Sequence, residues 1–480
     1  MASFDPQRPN VVLILTDDQG PWAMGCAGNA EIITPNLDEL AATGTRMANF
    51  HCASPVCSPA RASLLTGQMP SAHGVHDWIS ARHVGADGVD FLAGQRSYTD
   101  DLSDAGYRLG LCGKWHLGAN DQPRPGFVRW LAHDAGGGPY YGAPLHDENG
   151  PVEALGYVTD VFTDAAVQFI QSEADQSEPF YLSLHYTAPH SPWTNSHPKQ
   201  FTDLYADCEF ASVPQGVRHP WARTVDGVQH GAEPDTRAAL QGYFGAVSAV
   251  DAGVGRVLAA LDDTSLRSST VVIFTSDNGF NTGHHGIWGK GNGTFPQNMY
   301  NESVTVPFII SQPGRIAAGR VRDQLLSAYD LAPTIRQLCG ATEPTDSRRP
   351  GRSFVPLLRD GGVDDQWREA VVVADEYGPV RMIRSREWKY VHRYPYGPHE
   401  LYHLAGDPAE NTNLAEDPGQ ADRVTEFRNQ LAAWFAAYSR HGMDGATLPV
   451  TGFGQTQPLT APGDPLSSFT PAPYSTGPHY

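Results

Sequence analysis

Pro9-Asn-Val-Val-Leu-Ile-Leu-Thr-Asp-Asp18 is an unbroken β-branched and apolar run that ends in two adjacent carboxylates. Such a run reads as a central parallel strand, covered on both faces and therefore lacking hydrophobic alternation. In open α/β sheets, ligands bind beyond the carboxyl ends of the strands, which is where Asp17 and Asp18 fall. Neighbouring strand residues point to opposite faces, so both can meet one ion only if the chain turns there. On its own the pair is equally a solvated acidic turn. Ser269-Thr-Val-Val-Ile-Phe-Thr-Ser-Asp-Asn278 repeats the arrangement and delivers Asp277 and Asn278 at a second carboxyl end. Two such strands side by side would converge three carboxylates and an amide on one point. Oxygen donors of this kind suit a hard cation rather than zinc. Calcium, which tolerates irregular geometry, is the first choice and magnesium the alternative. Without a cation the carboxylates would repel one another.

Between these strands lies Cys57-Ser-Pro-Ala-Arg-Ala-Ser-Leu-Leu-Thr-Gly67. It reads as a short helix, with Ser58 able to cap, Pro59 suited to the first helical position and Gly67 to the left-handed position past the end. Cys57 then sits at the helix entrance, where free N–H groups and the helix dipole favour negative charge. Arg61, four residues on, shares its face. A sulfur beside a fixed cation at a helix N-terminus suits an anion, or chemistry on one. A buried structural thiol near a surface arginine is the plainer reading of the same pair.

The spacing Cys-x-Pro-x-Arg followed by Ala-Ser-Leu-Leu-Thr-Gly resembles the signature of type I sulfatases, in the alkaline phosphatase superfamily. The resemblance implies that Cys57 is oxidised to formylglycine by a dedicated formylglycine-generating enzyme, and that the aldehyde hydrate is the nucleophile. It also implies that Asp17, Asp18, Asp277 and Asn278 are metal ligands, with the modified Cys57 as another. Gly113-Lys-Trp-His-Leu-Gly118 is similar to the family's second signature and carries Lys114 and His116, which face the same way on an extended segment. Pro179 to Pro192 holds an apolar strand followed by His185 and His190. By family position His190 is the active-site histidine, and His185 is structural. In Gly283-His-His-Gly-Ile-Trp-Gly-Lys-Gly-Asn-Gly293, Lys290 sits among glycines that let backbone approach an oxyanion closely. This is not a Walker loop, because Gly rather than Ser or Thr follows the lysine. It resembles the sulfatase loop whose lysine grips the sulfate.

The resemblance runs from Pro9 to Leu338, with a weaker echo from Tyr402 to Asn413. It implies an α/β fold with a large central, mostly parallel sheet flanked by helices, alkaline-phosphatase-like, and a small C-terminal antiparallel-sheet-plus-helix subdomain. In the reaction it implies, Arg61, Lys114, Lys290 and the metal hold the sulfate for in-line attack, and the metal acidifies a hydroxyl of the hydrate. His190, helped by Lys290, protonates the leaving alcohol, and His116 takes the proton whose loss expels sulfate. A related class in the superfamily cleaves phosphonate or phosphate esters with much the same parts. A small aryl or alkyl sulfatase and a non-catalytic anion-binding homologue are further alternatives. A sulfated carbohydrate is the favoured substrate: Trp78, in His73-Gly-Val-His-Asp-Trp78, suits a sugar ring beside polar neighbours, although tryptophan is more often core. Asp375 to Tyr377, Arg381 and His392-Arg393-Tyr394 are candidates to close the cavity from the subdomain.

The composition is that of an ordinary globular chain. The chain has 480 residues, of which 40% are hydrophobic and 18% charged. No apolar stretch in it reads as a membrane span. A formal net charge of -20, with no basic run, argues against nucleic acid as a partner. It does not argue against a small anionic substrate, because a pocket's local field can oppose the global charge. Six cysteines without a Cys-x-x-Cys pair do not make a disulfide framework, and the N-terminus lacks the marks of a secretion signal. A cytoplasmic location is the resulting expectation, or a periplasmic or secreted one if a leader has been removed. The expected divisions are a catalytic domain over residues 1–365, an α+β subdomain over 366–445 and a tail over 446–480. The tail's Pro, Gly, Ser and Thr content is that of a disordered segment. An ordered tail would have to dock on its own body or on a second copy in a homo-oligomer.

Overall fold

In the computed structural model, residues 8–471 are described except 81–82, 86–87, 223, 226–227, 230, 347, 362–366 and 460–464. The strands of the main sheet are β1 (Asn10–Thr16), β2 (Thr45–Met47), β3 (Arg108–Lys114), β4 (Phe127–His133), β5 (Pro144–Asp147), β6 (Gly150–Glu153), β7 (Phe180–His185), β8 (Thr270–Ser276), β9 (Phe308–Ser311) and β10 (Arg320–Arg322). Their order is β10-β2-β9-β8-β1-β7-β3-β4-β5-β6. The five central strands, β8 to β4 in that order, run parallel, and antiparallel pairs begin on either side of them. The expected α/β fold with a mostly parallel central sheet is therefore the observed one.

β1 explains why the sheet sits where it does. Val11, Leu13 and Leu15 enter one apolar cluster, with residues of the helices α2 (Cys57–Thr66) and α5 (Leu331–Cys339). Val12 and Ile14 enter the opposite cluster, with residues of α1 (Pro35–Ala42), α3 (Val158–Glu173) and α4 (Thr236–Asp263). Both faces are covered, so the run needs no polar alternation. α4 corrects the expectation that nothing in the chain could span a bilayer: its length and apolar character would allow it. It is instead a core helix, capped by Asp235, and its buried Asp251 accepts the N–H groups of Asn36 and Leu37.

The C-terminal region forms a four-stranded antiparallel sheet of β11 (Ala370–Asp375), β12 (Val380–Ser385), β13 (Trp388–Arg393) and β14 (Glu400–His403). α6 (Ala421–Tyr438) packs on it through Phe427, Leu431 and Phe435. The expected boundary at 365/366 lies outside the described residues. So do parts of the expected tail, but its described portion is docked on the chain's own body. The Gln455 side chain is fully buried, its Nε2 donating to Gly74 O at 2.9 Å and its Oε1 accepting from His76 N at 2.9 Å.

Candidate active site

The register Thr16 with Ser276 places the ends of β1 and β8 side by side, so the carboxylates that follow them meet. Asp17 continues the strand direction, its N–H donating to Ala188 O at 3.2 Å. Asp18 then turns, at φ 64°, a left-handed conformation that Asp tolerates better than most residues. That turn is what lets adjacent residues serve one centre.

α2 starts at Cys57, with Val56 at the cap position and no side-chain cap. The expected caps are therefore displaced. The Ser58 hydroxyl accepts Ile79 N–H at 3.1 Å, and Pro59 lies inside the first turn. Gly67 ends the helix as expected, at φ 70° with its N–H on Ser63 O. Cys57 Sγ lies 3.3 Å from Asp17 Oδ1 and 2.8 Å from Lys290 Nζ. Lys290 also donates to Asp18 Oδ1 at 2.6 Å and stands 3.5 Å from Asn278 Oδ1. Its loop can lie this close because Gly291 abuts Pro55, where a Cβ would come within 2.6 Å of the proline ring. Arg61 Nε donates to Asp277 Oδ2 at 2.9 Å and Nη1 to Lys114 O at 2.7 Å, while the Lys114 ammonium pairs with Asp17.

All of these groups are buried, and their electrostatics follow from burial and from one another. Burial and Asp17 push the Cys57 thiol up to about 12. As a free cysteine it is therefore a protonated thiol and a weak nucleophile. Burial would raise Asp17, but Lys114, His190, Arg61 and Lys290 hold it well below the usual carboxylate range. Burial and Asp17 push Asp277 up to about 6. Burial alone would lower Lys290, yet Asp18, Cys57 and Asp17 hold its ammonium well above its ordinary value.

Three cations thus face three carboxylates, which corrects the expectation that only a metal relieves the repulsion. The oxygen donors of Asp17, Asp18 and Asn278 nevertheless fit a hard divalent ion. Ligand atoms of Asp17, Asp18 and Cys57 lie within 4.8 Å of one another, and Asp18, Cys57 and Asn278 already converge on one positive group, the Lys290 ammonium. Lys290 has to give up those contacts to an ion, and its flexible stem permits that. The Asn278 amide already turns its oxygen toward that ammonium, while its Nδ2 donates to Asp18 Oδ1 at 2.7 Å.

The two histidines are set differently. His116 is not on an extended segment as expected; β3 ends at Lys114, and His116 takes φ 57°. Its Nε2 faces Ile79 O at 3.0 Å and must carry the proton, which leaves Nδ1 buried and, among the described residues, without a partner. Burial and Lys114 push this imidazole well below its ordinary value, so it is neutral. His190 is part-exposed, with Nδ1 donating to Ser191 O at 2.7 Å and Nε2 3.7 Å from Asp18 Oδ2. His185 contacts Lys114 O and is held neutral by burial, a structural placement.

Cys57, His116, His190 and Lys290 open onto one cavity of about 640 Å³. Trp78 lines it and is 37% exposed, so it is not a core residue. The residues expected to close it from the subdomain do not line it. Arg381 is paired with Glu376 and Asp444 beneath Phe435, and Arg393 is bound to Gln297 O and Glu400. Among the lining residues that the sequence did not single out are Gly136 and Gly137, Ser80, Asn292, and Gly452 with Phe453 from the tail. The Gly136-Gly-Gly138 run was the one visible signal among them, because glycines permit close approach.

A family model described as Sulfatase matches residues 9–341, and one described as N-sulphoglucosamine sulphohydrolase, C-terminal, matches residues 283–436. An N-acetylglucosamine-6-O-sulfatase of Bacteroides thetaiotaomicron is 26% identical, over 89% of this chain and 86% of its own. A choline-sulfatase of Rhizobium meliloti is 30% identical, over 89% of this chain and 86% of its own. A solved structure of a protein in complex with its substrate D-glucosamine-2-N,6-O-disulfate superposes with a TM-score of 0.78 at 25% identity, covering 91% of this chain and 99% of that one.

Proposed function

Because this chain belongs to the sulfatase family of the alkaline phosphatase superfamily and is a sulfuric ester hydrolase, we propose that its substrate is a sulfated carbohydrate and that formylglycine derived from Cys57 is its nucleophilic residue. The observation that carries this reading is the contact of Cys57 Sγ with both Asp17 and Lys290 beside the cavity that His116 and His190 share. A formylglycine-generating enzyme is then required for maturation.

Asp17, Asp18, Asp277, Asn278 and the modified Cys57 would hold the divalent cation, calcium or magnesium. When bound, it supplies Lewis-acid polarisation and makes an adjoining hydroxyl more acidic. Formylglycine hydrate supplies two hydroxyls on one carbon, where cysteine or serine has a single nucleophilic atom. Arg61 fixes the Asp277 carboxylate, and Lys114 neutralises Asp17, so both acceptors are held before substrate arrives. Lys290, released from Asp18, meets the sulfate oxygens. His190 in its protonated form keeps one N–H on Ser191 O and presents Nε2–H to the leaving alcohol oxygen. His116, neutral and with a free Nδ1, accepts the proton whose removal lets sulfate leave.

The choline-sulfatase relative favours a second reading, a small alkyl sulfate. The cavity speaks for the larger substrate, because its volume of about 640 Å³ exceeds what a small alkyl sulfate fills. The test is sulfate release from a panel of 6-sulfated hexosamines, choline sulfate, an aryl sulfate and a phosphonate monoester. The highest kcat/KM is expected for a sulfated hexosamine. Turnover of choline sulfate or the aryl ester alone would overturn the carbohydrate assignment, and preference for the phosphonate would overturn the sulfate-ester reading.

A further inference from the structure

The described tail reaches the cavity as a strap. Gln455 lies beside Ile79 as a parallel bridge and beside Phe469 as an antiparallel one. Its N–H donates to Trp78 O at 2.7 Å, and Ser80 N–H donates to Gln455 O at 3.3 Å. Thr470 N–H closes the ribbon on Gly454 O at 2.9 Å, and Phe469 is buried beneath it. Asp77 Oδ2 accepts Gly454 N–H at 3.2 Å. Two glycines let the strap lie this close. Gly454 is at φ +110°, where a Cβ would fall 2.2 Å from that of Ser80; Gly452 is at φ +75°, where one would fall 2.4 Å from the Tyr377 ring. Between them Phe453 lines the same cavity as Cys57 and Lys290. Trp78, on the receiving loop, donates Nε1–H to Gly452 O at 3.3 Å, so the strap fixes the indole's polar edge while the ring stays 37% exposed.

We propose that residues 451–455 form the substrate-selecting wall of the cavity, with Phe453 and Trp78 taking the apolar face of the sugar ring that bears the sulfate and Gln455 as the positioning residue that holds the wall. The occupant rests on the carbohydrate reading above; the wall itself rests on the contacts just given. Aromatic rings suit this task because a hexose pairs a C–H face with a polar rim. The neutral polar side chains of Ser80 and Asn292 line the same cavity. Apart from Lys290 and the two histidines, the residues that line the cavity carry no ionisable side chain but Cys57.

The test compares Phe453→Ala, Trp78→Ala and Gln455→Ala with wild type on a 6-sulfated hexosamine. It also measures inhibition by inorganic sulfate, which probes the anion site without a ring. The expected result is a KM raised at least about tenfold in each variant, a smaller change in kcat, and a sulfate inhibition constant within about twofold of wild type; tenfold corresponds to about 1.4 kcal/mol. KM values within about twofold of wild type for both aromatic variants overturn the wall. Sulfate inhibition lost in parallel with KM overturns it as well, because the strap would then be supporting the whole site. A wild-type enzyme that turns over no sulfated sugar overturns the carbohydrate reading and this assignment together, an outcome visible before any variant is made.

Discussion

Replacing Arg61 by alanine separates the electrostatic support of the site from its chemistry. The guanidinium is 2% exposed and the Asp277 carboxylate fully buried, with Nε 2.9 Å from Oδ2. Nη1 donates to Lys114 O at 2.7 Å, and Nη2 stands 3.8 Å from Asp17. Removing one partner of such a buried pair costs about 3–5 kcal/mol, because the other charge is stranded out of water. Neither group is exposed, so solvent does not screen the effect. The free energy of unfolding extrapolated to water should fall by that amount; with an m-value of at least about 3 kcal/mol/M for a chain of this length, the urea midpoint falls by at most about 1.7 M. Both proteins are unfolded in the presence of a chelator, so that metal affinity does not contribute. Arg61→Ala combined with Asp277→Asn removes the stranded charge and should recover about 2 kcal/mol of the loss, while turnover stays absent. An Arg61→Ala protein whose extrapolated free energy of unfolding lies within about 1 kcal/mol of wild type, or a double variant no more stable than the single one, would refute the reasoning.

Cys57→Ala should abolish turnover with the thermal midpoint preserved, and intact-protein mass spectrometry of active enzyme should read about 18 Da below the cysteine form, since an aldehyde replaces the thiol. Active protein at the unmodified mass would remove the formylglycine assignment. Chelation should abolish activity, and calcium or magnesium should restore it, the more effective ion identifying the cofactor; activity indifferent to chelators would exclude the ion site. Gly136→Ala should lower kcat about 10²-fold, because a Cβ there falls 2.2 Å from the His116 ring and must displace it, and displacements near 1 Å cost that much. Gly137→Ala, whose Cβ meets the His190 ring at an ordinary 3.4 Å, should lose far less, and equal losses in the two variants would show that the close contact is not what matters.

How much of this was legible in the sequence depends on whether the cause is local. The two buried strands announce themselves by composition, and once they lie in register their carboxyl ends must bring Asp17 and Asp277 together. The cap of α2 was misread because the Ser58 hydroxyl is taken by Ile79 N–H, far along the chain, and no local pattern records that competition. His116 was misread for a related reason: it turns at φ 57° and sets its ring against Gly136, a contact that no local pattern records. The tail is the largest case. Its composition cannot bury enough apolar surface to order itself. The order of its described part comes instead from contacts with residues 74–80, Gln455 foremost, a partner surface that only the fold supplies. The same logic decides where selectivity lies. Arg381 and Arg393 are candidates in sequence to close the cavity, yet Glu376, Asp444, Glu400 and Gln297 O already engage them. Charge is therefore concentrated where one sulfate binds, and the remainder of the substrate is left to be selected by the shape and aromatic surface of the wall.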